Sequence, residues 1–156
     1  MDMLFQLSRL PSPDEFLKRL SAEGITIRRA MAYERHQVMR WVEATFGSKW
    51  SAECAVAFGH QPIGCWIAVH ARRLCGFCCS ESTYLNFLGP IGVADPFQKK
   101  GVGRALVLSV LTEMRFRGYA YAIVGDVGAP DFFTRAAGAV EVPGSSAGAS
   151  YPEKLS

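Results

Sequence analysis

A short glycine-rich segment, Gln98–Arg104, carries the residue types in this sequence that could hold an anion. It reads QKKGVGR and stands between an apolar segment that ends at Val93 and an alanine- and leucine-rich segment that runs to Arg117. This order predicts a strand, a turn and a helix. Glycines let a phosphate oxygen approach backbone N–H groups where the dipole of a helix is positive. The turn is therefore predicted to bind a phosphate or a similar anion.

Three phosphate-binding patterns can be compared with this turn. A Walker loop is excluded, because the lysines here precede the glycines and no serine or threonine follows. A dinucleotide fingerprint has three glycines, and Leu106 stands at the third, which leaves that pattern weakly supported. The remaining pattern, Gln98-x-x-Gly101-x-Gly103 after a hydrophobic strand, resembles the acetyl-CoA signature of the GNAT superfamily of N-acetyltransferases. An ordinary helix start with solvated lysines is the plain alternative.

The resemblance implies acetyl-CoA as the cofactor, with its pyrophosphate bound by backbone N–H groups of the turn and by nearby basic side chains. GNAT proteins use a bulge in the strand before the turn to separate it from the next strand and to seat the pantetheine arm. Gly89, Pro90 and Gly92 favour a bulge, since proline lacks a donor and glycine permits the kink. The expected cofactor-binding residues are Ile91, Gly92, Val93, Gln98, Lys99, Lys100, Gly101, Val102, Gly103, Arg104, Phe132 and Phe133.

A second segment also resembles the family. Many GNAT members carry Asn-x-x-Ala-x-x-Phe-Tyr, followed by a glycine, after the strand that succeeds the helix. Here the residues at those spacings are Asp126, Ala129, Phe132 and Phe133, with Gly138 after them. The two signatures cover residues 86–139, which are expected to form the acetyl-CoA-binding core.

The usual catalytic groups are missing from both signatures. Many members place the tyrosine that protonates the leaving thiolate at the position of Phe133, which has no proton to give. Where many members carry a carboxylate as general base, this chain has Asn86–Leu88. The remaining candidates are, as bases, Glu81 and Asp126 and, as acids, Tyr84 and Tyr151. A water chain to bulk solvent is an alternative to a carboxylate base.

The segments before the turn must position the acceptor. Apolar residues recur at helical spacing in Tyr33–Phe46 and Trp50–Phe58, and strands are predicted over Ile25–Ala30, Cys65–His70 and Leu74–Ser80. GNAT proteins shape the acceptor pocket with the two helices between the first two strands. The resemblance therefore points to four lining residues, with a core role as the alternative for the aromatic ones: Trp41, Phe46, Trp50 and Glu53.

The remaining elements set the fold class. Ser12–Glu15 has the residues of a capped helix start, and residues 1–24 are interpreted as a helical extension before the first strand. After the helix at the turn come a strand over Tyr119–Val124, a helix over Phe132–Ala137, and a last strand with a loose end in residues 139–156. This order predicts an α/β (α+β) protein with a mixed, mostly antiparallel sheet and helices on both faces, which is also the GNAT order.

Composition limits the classes of protein that need consideration. A chain of 156 residues suits one domain, residues 1–156, and 49% hydrophobic with 20% charged residues suits a packed core. The net charge of +3 comes from scattered basic residues, so no nucleic-acid partner is expected. The start of the chain has neither a signal-peptide pattern nor an apolar span, so no membrane partner is expected and a cytoplasmic location is predicted.

The five cysteines are an odd set that cannot pair completely within one chain. Cys75-Gly76-Phe77-Cys78 looks like a C-x-x-C motif, but within a strand residues three apart point to opposite faces. No metal site is therefore expected, and the cysteines are interpreted as small buried hydrophobic residues. Reduced thiols agree with the predicted cytoplasmic location.

The favoured hypothesis is an enzyme that transfers an acetyl group from acetyl-CoA to a primary amine of a small molecule by direct attack in a ternary complex. The assembly is left open, with a homodimer as one option. A GNAT-like module that binds acyl-CoA as a sensor without turnover is the alternative, because the usual acid and base are missing. A nucleotide-binding regulatory domain that uses the same turn is a third hypothesis.

Overall fold

A computed structural model describes residues 1–146 and 151–156 of the protein. The expected loose end lies partly in residues 147–150, outside the described residues. The strands are β1 (Met3–Gln6), β2 (Ile25–Arg29), β3 (Cys65–His70), β4 (Arg73–Ser80), β5 (Phe87–Val93), β6 (Tyr121–Val124) and β7 (Val140–Glu141). The helices are α1 (Asp14–Ala22), α2 (Arg35–Phe46), α3 (Ser48–Phe58), α4 (Val102–Phe116) and α5 (Pro130–Ala137).

The strands form one sheet in the order β2-β3-β4-β5-β6-β1-β7. Every neighbouring pair is antiparallel except β5 and β6, which run parallel. The helix α4 connects these two parallel strands, because a parallel pair needs a long crossover. The predicted mixed, mostly antiparallel sheet is confirmed.

The sequence pattern does not reveal the strand β1, and the interpretation of residues 1–24 as a helical extension before the first strand is wrong in this respect. β1 lies inside the sheet, antiparallel to β6 on one side and to β7 on the other. Its four residues, MLFQ, give too short an alternation and contain only one strong strand former, Phe5. The capped helix start predicted over Ser12–Glu15 is found only in part. α1 begins at Asp14, and Pro13 precedes it as the cap position without a side-chain hydrogen bond, while the N–H of Asp14 donates to Oγ of Ser12 at 3.2 Å.

Two hydrophobic cores cover the two faces of the sheet. The first is built around α4, which is buried on nearly all sides because α1 and α5 also pack against it. The second lies under α2 and α3 and contains Val42, Cys54 and Phe77, all fully buried. Among the described residues, no helix combines the length and the apolar character needed to cross a bilayer.

The expectation that Cys75 and Cys78 point to opposite faces of the sheet is wrong. Both side chains belong to the first core, whereas Cys79 belongs to the second. The pairing of β3 with β4 shifts register between Ala68 and Val69, so that Cys75 has no partner residue in β3. This bulge adds one residue to the alternation of β4 and brings the two thiols to the same face.

Candidate functional site

The two parallel strands pair over only two residues and leave a cleft beyond that point. β5 and β6 pair only at Phe87 with Ile123 and Leu88 with Val124, where β6 ends, and β5 continues to Val93 with β4 as its strand partner. The cleft that opens there has a volume of about 840 Å³. One wall is formed by residues 88–93 and the other by residues 124–129. This is the separation of strands that the sequence predicted.

The bulge expected in β5 accompanies this separation. Cys78 pairs with Ile91 but Ser80 pairs with Leu88, so β5 carries one residue more than β4 over the same length. Gly89 has a φ of +118°, which a residue with a side chain adopts only with strain. The strand therefore bends where its pairing with β6 ends, and unpaired backbone groups face the cleft.

The glycine turn forms one end of the cleft. Gly101 has a φ of +89° and Lys99 a φ of +61°, and α4 begins at the next residue, Val102. The first N–H groups of a helix have no carbonyl partner within it, so they are available to an anion. The turn residues that line the cleft are Gln98, Lys99, Gly101, Gly103 and Arg104.

The side chain of Gln98 closes this turn. Its amide nitrogen donates hydrogen bonds of 3.1 Å to the carbonyl oxygen of Val93 and of 3.1 Å to Oδ1 of Asp95. These bonds tie the start of the turn to the end of β5. Gln98 therefore fixes the shape of the turn as well as lining the cleft.

Two of the expected cofactor-binding side chains lie elsewhere. Val102 is 1% exposed and packs into the first core beside Gly76. Nζ of Lys100 lies 5.8 Å from the ring centroid of Phe97, and this side chain does not line the cleft. The side chain of Val102 points from the start of α4 into the core, so it cannot also face a ligand in the cleft. The motif alone does not distinguish such a side chain from one that faces the ligand.

The helix α1 supports the turn, a role that the sequence did not indicate. The guanidinium of Arg104 lies 4.4 Å from the ring centroid of Phe16, and that of Arg19 lies 5.2 Å from the same ring. A guanidinium nitrogen of Arg19 also lies 3.3 Å from the position of a Cβ on Gly101. The Nε of Arg104 is buried without a hydrogen-bond partner among the described residues. The spacing of Phe16 and Arg19 by three residues indicates only that the two side chains are neighbours on α1, and it does not predict their contact with the turn.

Acidic, basic and aromatic side chains gather at the other end of the cleft. One side of α3 contributes three lining residues to this end of the cleft: Lys49, Trp50 and Glu53. The lining role of Trp50 and Glu53 was predicted from the sequence. The hydroxyl of Thr83 donates to Oε1 of Glu53 at 3.4 Å. The other two aromatic residues that the sequence proposed, Trp41 and Phe46, pack against the second core instead of lining the cleft.

Asp126 also lines this end, at the carboxyl end of β6. Its φ is +51°, and its N–H donates to Oδ1 of Asp2 at 3.0 Å. Asp2 is 5% exposed and directly precedes β1. The strand β1 therefore positions a buried carboxylate behind the cleft. A local sequence pattern could not reveal this contact between residues so far apart in the chain.

Tyr151 contributes a hydroxyl to the cleft. It packs directly on the backbone of Gly125, where it leaves no room for a side chain. Burial, and then the negative charges of Asp2, Glu53 and Asp126, raises the pKa of Tyr151 to about 12. The other candidate acid, Tyr84, lies 6.1 Å from Tyr151 between ring centroids, is 43% exposed and does not line the cleft.

Glu81, the other candidate base, lies outside the cleft and is engaged elsewhere. Its carboxylate accepts hydrogen bonds from the hydroxyl of Tyr119, from the N–H of Asn86 at 3.2 Å and from the guanidinium of Arg117 at 2.9 Å. Burial alone would raise the pKa of Glu81, but these donors outweigh it and lower the pKa below its ordinary value. Glu81 therefore holds the segment before β5 in place and is no longer a candidate base.

The two phenylalanines of α5 differ in role. Phe132 lies beside Gly103, where a Cβ would be 3.1 Å from its Cζ, and Phe133 is 6% exposed and packs against Phe5. Both line the cleft. They add an apolar surface next to the turn and no proton donor.

Comparison with known families identifies the region around the cleft. The model of the acetyltransferase (GNAT) family matches residues 35–138. No curated protein sequence matches the chain. The matched region runs from α2 to the end of α5, so it includes the glycine turn, Trp50, Glu53 and Asp126 but not Tyr151.

Solved structures share the fold at low sequence identity. A glucosamine N-acetyltransferase region of a fungal multi-domain GH3 β-N-acetylglucosaminidase is 17% identical over 87% of this chain, with a TM-score of 0.71. An N-acetyltransferase from Sphaerobacter thermophilus is 21% identical over 89%, with a TM-score of 0.62. One from Escherichia coli, in complex with CoA, is 18% identical over 71%, with a TM-score of 0.53. This chain spans 19%, 47% and 66% of those three chains.

Proposed function

Because the chain belongs to the GNAT family of acetyltransferases, we propose that it transfers the acetyl group of acetyl-CoA to a primary amine of a small molecule, by direct attack in a ternary complex. Family membership supports an acyltransferase activity and favours acetyl-CoA over a nucleotide as the ligand of the turn. The observation that carries the proposal is one continuous cleft that is lined both by the glycine turn before α4 and by Glu53 and Asp126.

The residues present fit acetyl-CoA. The start of α4 offers backbone N–H groups beside a left-handed Gly101, and the buried Nε of Arg104 lacks a partner among the described residues. Lys99 and Arg104 would add positive charge near a pyrophosphate. The backbone of residues 89–93 has no strand partner on the side that faces the cleft, and there it can accept and donate hydrogen bonds along an extended arm, as a strand does with its neighbour. The Escherichia coli relative with CoA bound supports this assignment.

The other end of the cleft suits a cationic amine. Glu53 and Asp126 place negative charge there, and Trp50 and Tyr151 offer aromatic rings on which a cation or a sugar ring can lie. Lys49 supplies a single positive charge at the same end. The glucosamine N-acetyltransferase region named above acts on an amino sugar, which supports an amine of this general class.

Acetyl-CoA supplies a thioester, which is already activated for attack by an amine. Asp126 would accept the proton that the amine loses, because its carboxylate lies in the cleft whereas Glu81 does not. Tyr151 would donate a proton to the departing thiolate, in place of the tyrosine that is absent at Phe133. Its high pKa keeps the hydroxyl protonated at neutral pH and therefore able to donate.

Thiol release measured across a panel of amines tests the proposal. We expect turnover with primary amines that carry a positive charge, such as diamines and amino sugars, and little turnover with amines that also carry carboxylates. Calorimetry with acetyl-CoA alone is the companion measurement. Binding of acetyl-CoA without release of thiol for any amine would contradict the proposal and favour a sensor, and absence of binding would contradict the cofactor assignment.

A further inference from the structure

Three buried thiols from three different elements meet in the second core. Cys54 stands on α3, Cys65 on β3 and Cys79 on β4. Their Sγ atoms all lie within 4.8 Å of one another, and those of Cys54 and Cys65 are 3.8 Å apart. Cys65 and Cys79 are directly opposite each other in the antiparallel pair, and Cys54 meets them from the helix. Elsewhere in residues 1–146 and 151–156, no other three side chains of His, Cys, Asp or Glu gather in this way.

The surroundings of this cluster are apolar. All three cysteines are fully buried, and they share their core with Ile67 and Phe77, both at most 1% exposed. No fourth ligating side chain belongs to the group among the described residues. The cluster therefore offers three soft sulfur ligands from a rigid framework of one helix and two paired strands.

We propose that Cys54, Cys65 and Cys79 form a three-coordinate binding site for a soft monovalent cation, with Cu(I) as the ion that fits best. Sγ atoms 3.8 Å apart, as in Cys54 and Cys65, would each lie about 2.2 Å from an ion at the centre of an equilateral triangle, and atoms at the 4.8 Å limit of the group would lie about 2.8 Å from it. A contraction of a few tenths of an ångström at most brings all three sulfurs to the ~2.3 Å of metal–thiolate bonds. Thiolates select Cu(I) and Zn(II) among common ions. Zn(II) takes four ligands in structural sites, and this group of described residues supplies three.

Binding involves no change of oxidation state. The ion enters as Cu(I) and remains Cu(I), while each thiol that becomes a ligand releases its proton to solvent as a copper–sulfur bond forms. Because Cys54 directly follows Glu53, a bound ion would hold α3 to β3 and β4 immediately behind the acceptor end of the cleft. The site itself does not depend on the proposed acetyl transfer.

The chain contains its own controls for a test. Cys75 and Cys78 are also buried, at 1% and 0% exposure, but they belong to the core on the other face of the sheet. The full chain, reduced and free of oxygen, is titrated with Cu(I) against a chromogenic Cu(I) chelator. We expect one ion per chain, binding weakened at least 100-fold in Cys65→Ala and in Cys54→Ala, and unchanged binding in Cys75→Ala and Cys78→Ala.

X-ray absorption of the copper-loaded wild-type protein gives a second measurement that needs no variant. Three sulfur neighbours at about 2.3 Å would support the site. Two sulfur neighbours, or nitrogen or oxygen neighbours, would overturn the proposal. Equal weakening of Cu(I) binding in Cys75→Ala and in Cys65→Ala would also overturn it. If Cys65→Ala fails to fold, the copper-loaded wild-type protein is alkylated in partial denaturant instead. Protection of the three cluster thiols, without protection of Cys75 and Cys78, would support the proposal. Uniform alkylation of all five thiols would overturn it.

Discussion

The ring of Phe46 occupies the space next to Gly92 where a side chain would stand. A Cβ added to Gly92 would lie 2.5 Å from Cζ of that ring. The ring has little freedom to move, because Trp50 lies 5.3 Å from it and Phe77 lies 5.6 Å from it between ring centroids. Gly92 therefore lets the end of α2 pack directly on the strand that forms one wall of the cleft.

Gly92→Ala is expected to destabilise the protein by about 1–3 kcal/mol, the usual cost of overpacking a filled core. Unfolding by a chemical denaturant, followed by fluorescence, measures the change in the free energy of unfolding. Gly128→Ala is the matched control, since a Cβ there meets nothing within 4 Å. Equal stability of the two variants would show that the Phe46 ring yields easily.

Gly101→Val is expected to weaken the binding of acetyl-CoA at least tenfold, which is about 1.4 kcal/mol. Valine is strained at a φ of +89° and would alter the turn that presents the N–H groups of α4. Calorimetry gives the dissociation constant. Gly118→Val introduces comparable strain at a φ of +103° far from the cleft, and it should leave the affinity unchanged. Undiminished affinity in Gly101→Val would refute the cofactor assignment of the turn.

Tyr151→Phe is expected to lower kcat about 100-fold, the usual contribution of a positioned general acid, while the affinity for acetyl-CoA stays the same. Steady-state thiol release and calorimetry separate the two effects. Because the pKa of Tyr151 is about 12, wild-type kcat should show no alkaline decline from this group through neutral and mildly alkaline pH. Tyr121→Phe, at an exposed tyrosine outside the cleft, is the control. A kcat of Tyr151→Phe equal to that of wild type would remove Tyr151 from the mechanism.

Glu53→Gln is expected to raise the KM for a cationic amine about tenfold, since a hydrogen bond to a charged group contributes about 1.5–3 kcal/mol. The KM for acetyl-CoA should not change, because the turn lies at the opposite end of the cleft. Initial rates with each substrate varied in turn measure both constants. Glu43→Gln changes an exposed carboxylate on α2 and serves as the control. Equal effects on both KM values would argue for general disruption of the cleft.

Glu81→Gln is expected to lower the free energy of unfolding at pH 7 by about 1–3 kcal/mol, because the charged acceptor of three hydrogen bonds is lost. The pKa of Glu81 is lower in the folded state, so its contribution is present above the ordinary value of 4.5 and disappears as the pH falls through the lowered pKa. Denaturation curves at several pH values should therefore show the difference from wild type shrinking below pH 4.5. A difference that does not depend on pH would contradict this, and the exposed Glu23→Gln is the control.

Local patterns predicted most of the secondary structure and the cofactor end of the cleft. The β3 boundaries, Cys65–His70, were predicted without error, and the strand, turn and helix around Gly101 were in their predicted order. Each of these depends on residues that are close in sequence. The strand β1 was not predicted because four residues are too few to show a period of two. The bulge at Cys75 was not predicted because no local sequence feature distinguishes it from a regular strand.

The acceptor end could be predicted only in part. The family resemblance pointed to Trp50 and Glu53, and both line the cleft from α3. The contact of Asp2 with Asp126 joins residues 124 positions apart, and the cysteine cluster joins three elements. Contacts of this kind depend on the order of strands in the sheet, which periodicity does not determine.

The position of β1 also constrains how the chain can fold during synthesis. Its partners are residues 121–124 and 140–141, both more than a hundred residues further along the chain. A ribosome therefore releases the first strand long before either neighbour exists, and the sheet cannot close until residue 141 has emerged. Such long-range pairing slows folding, because the entropy of closing a loop of more than a hundred residues must be lost first. Until then, the buried face of β1 is exposed to solvent.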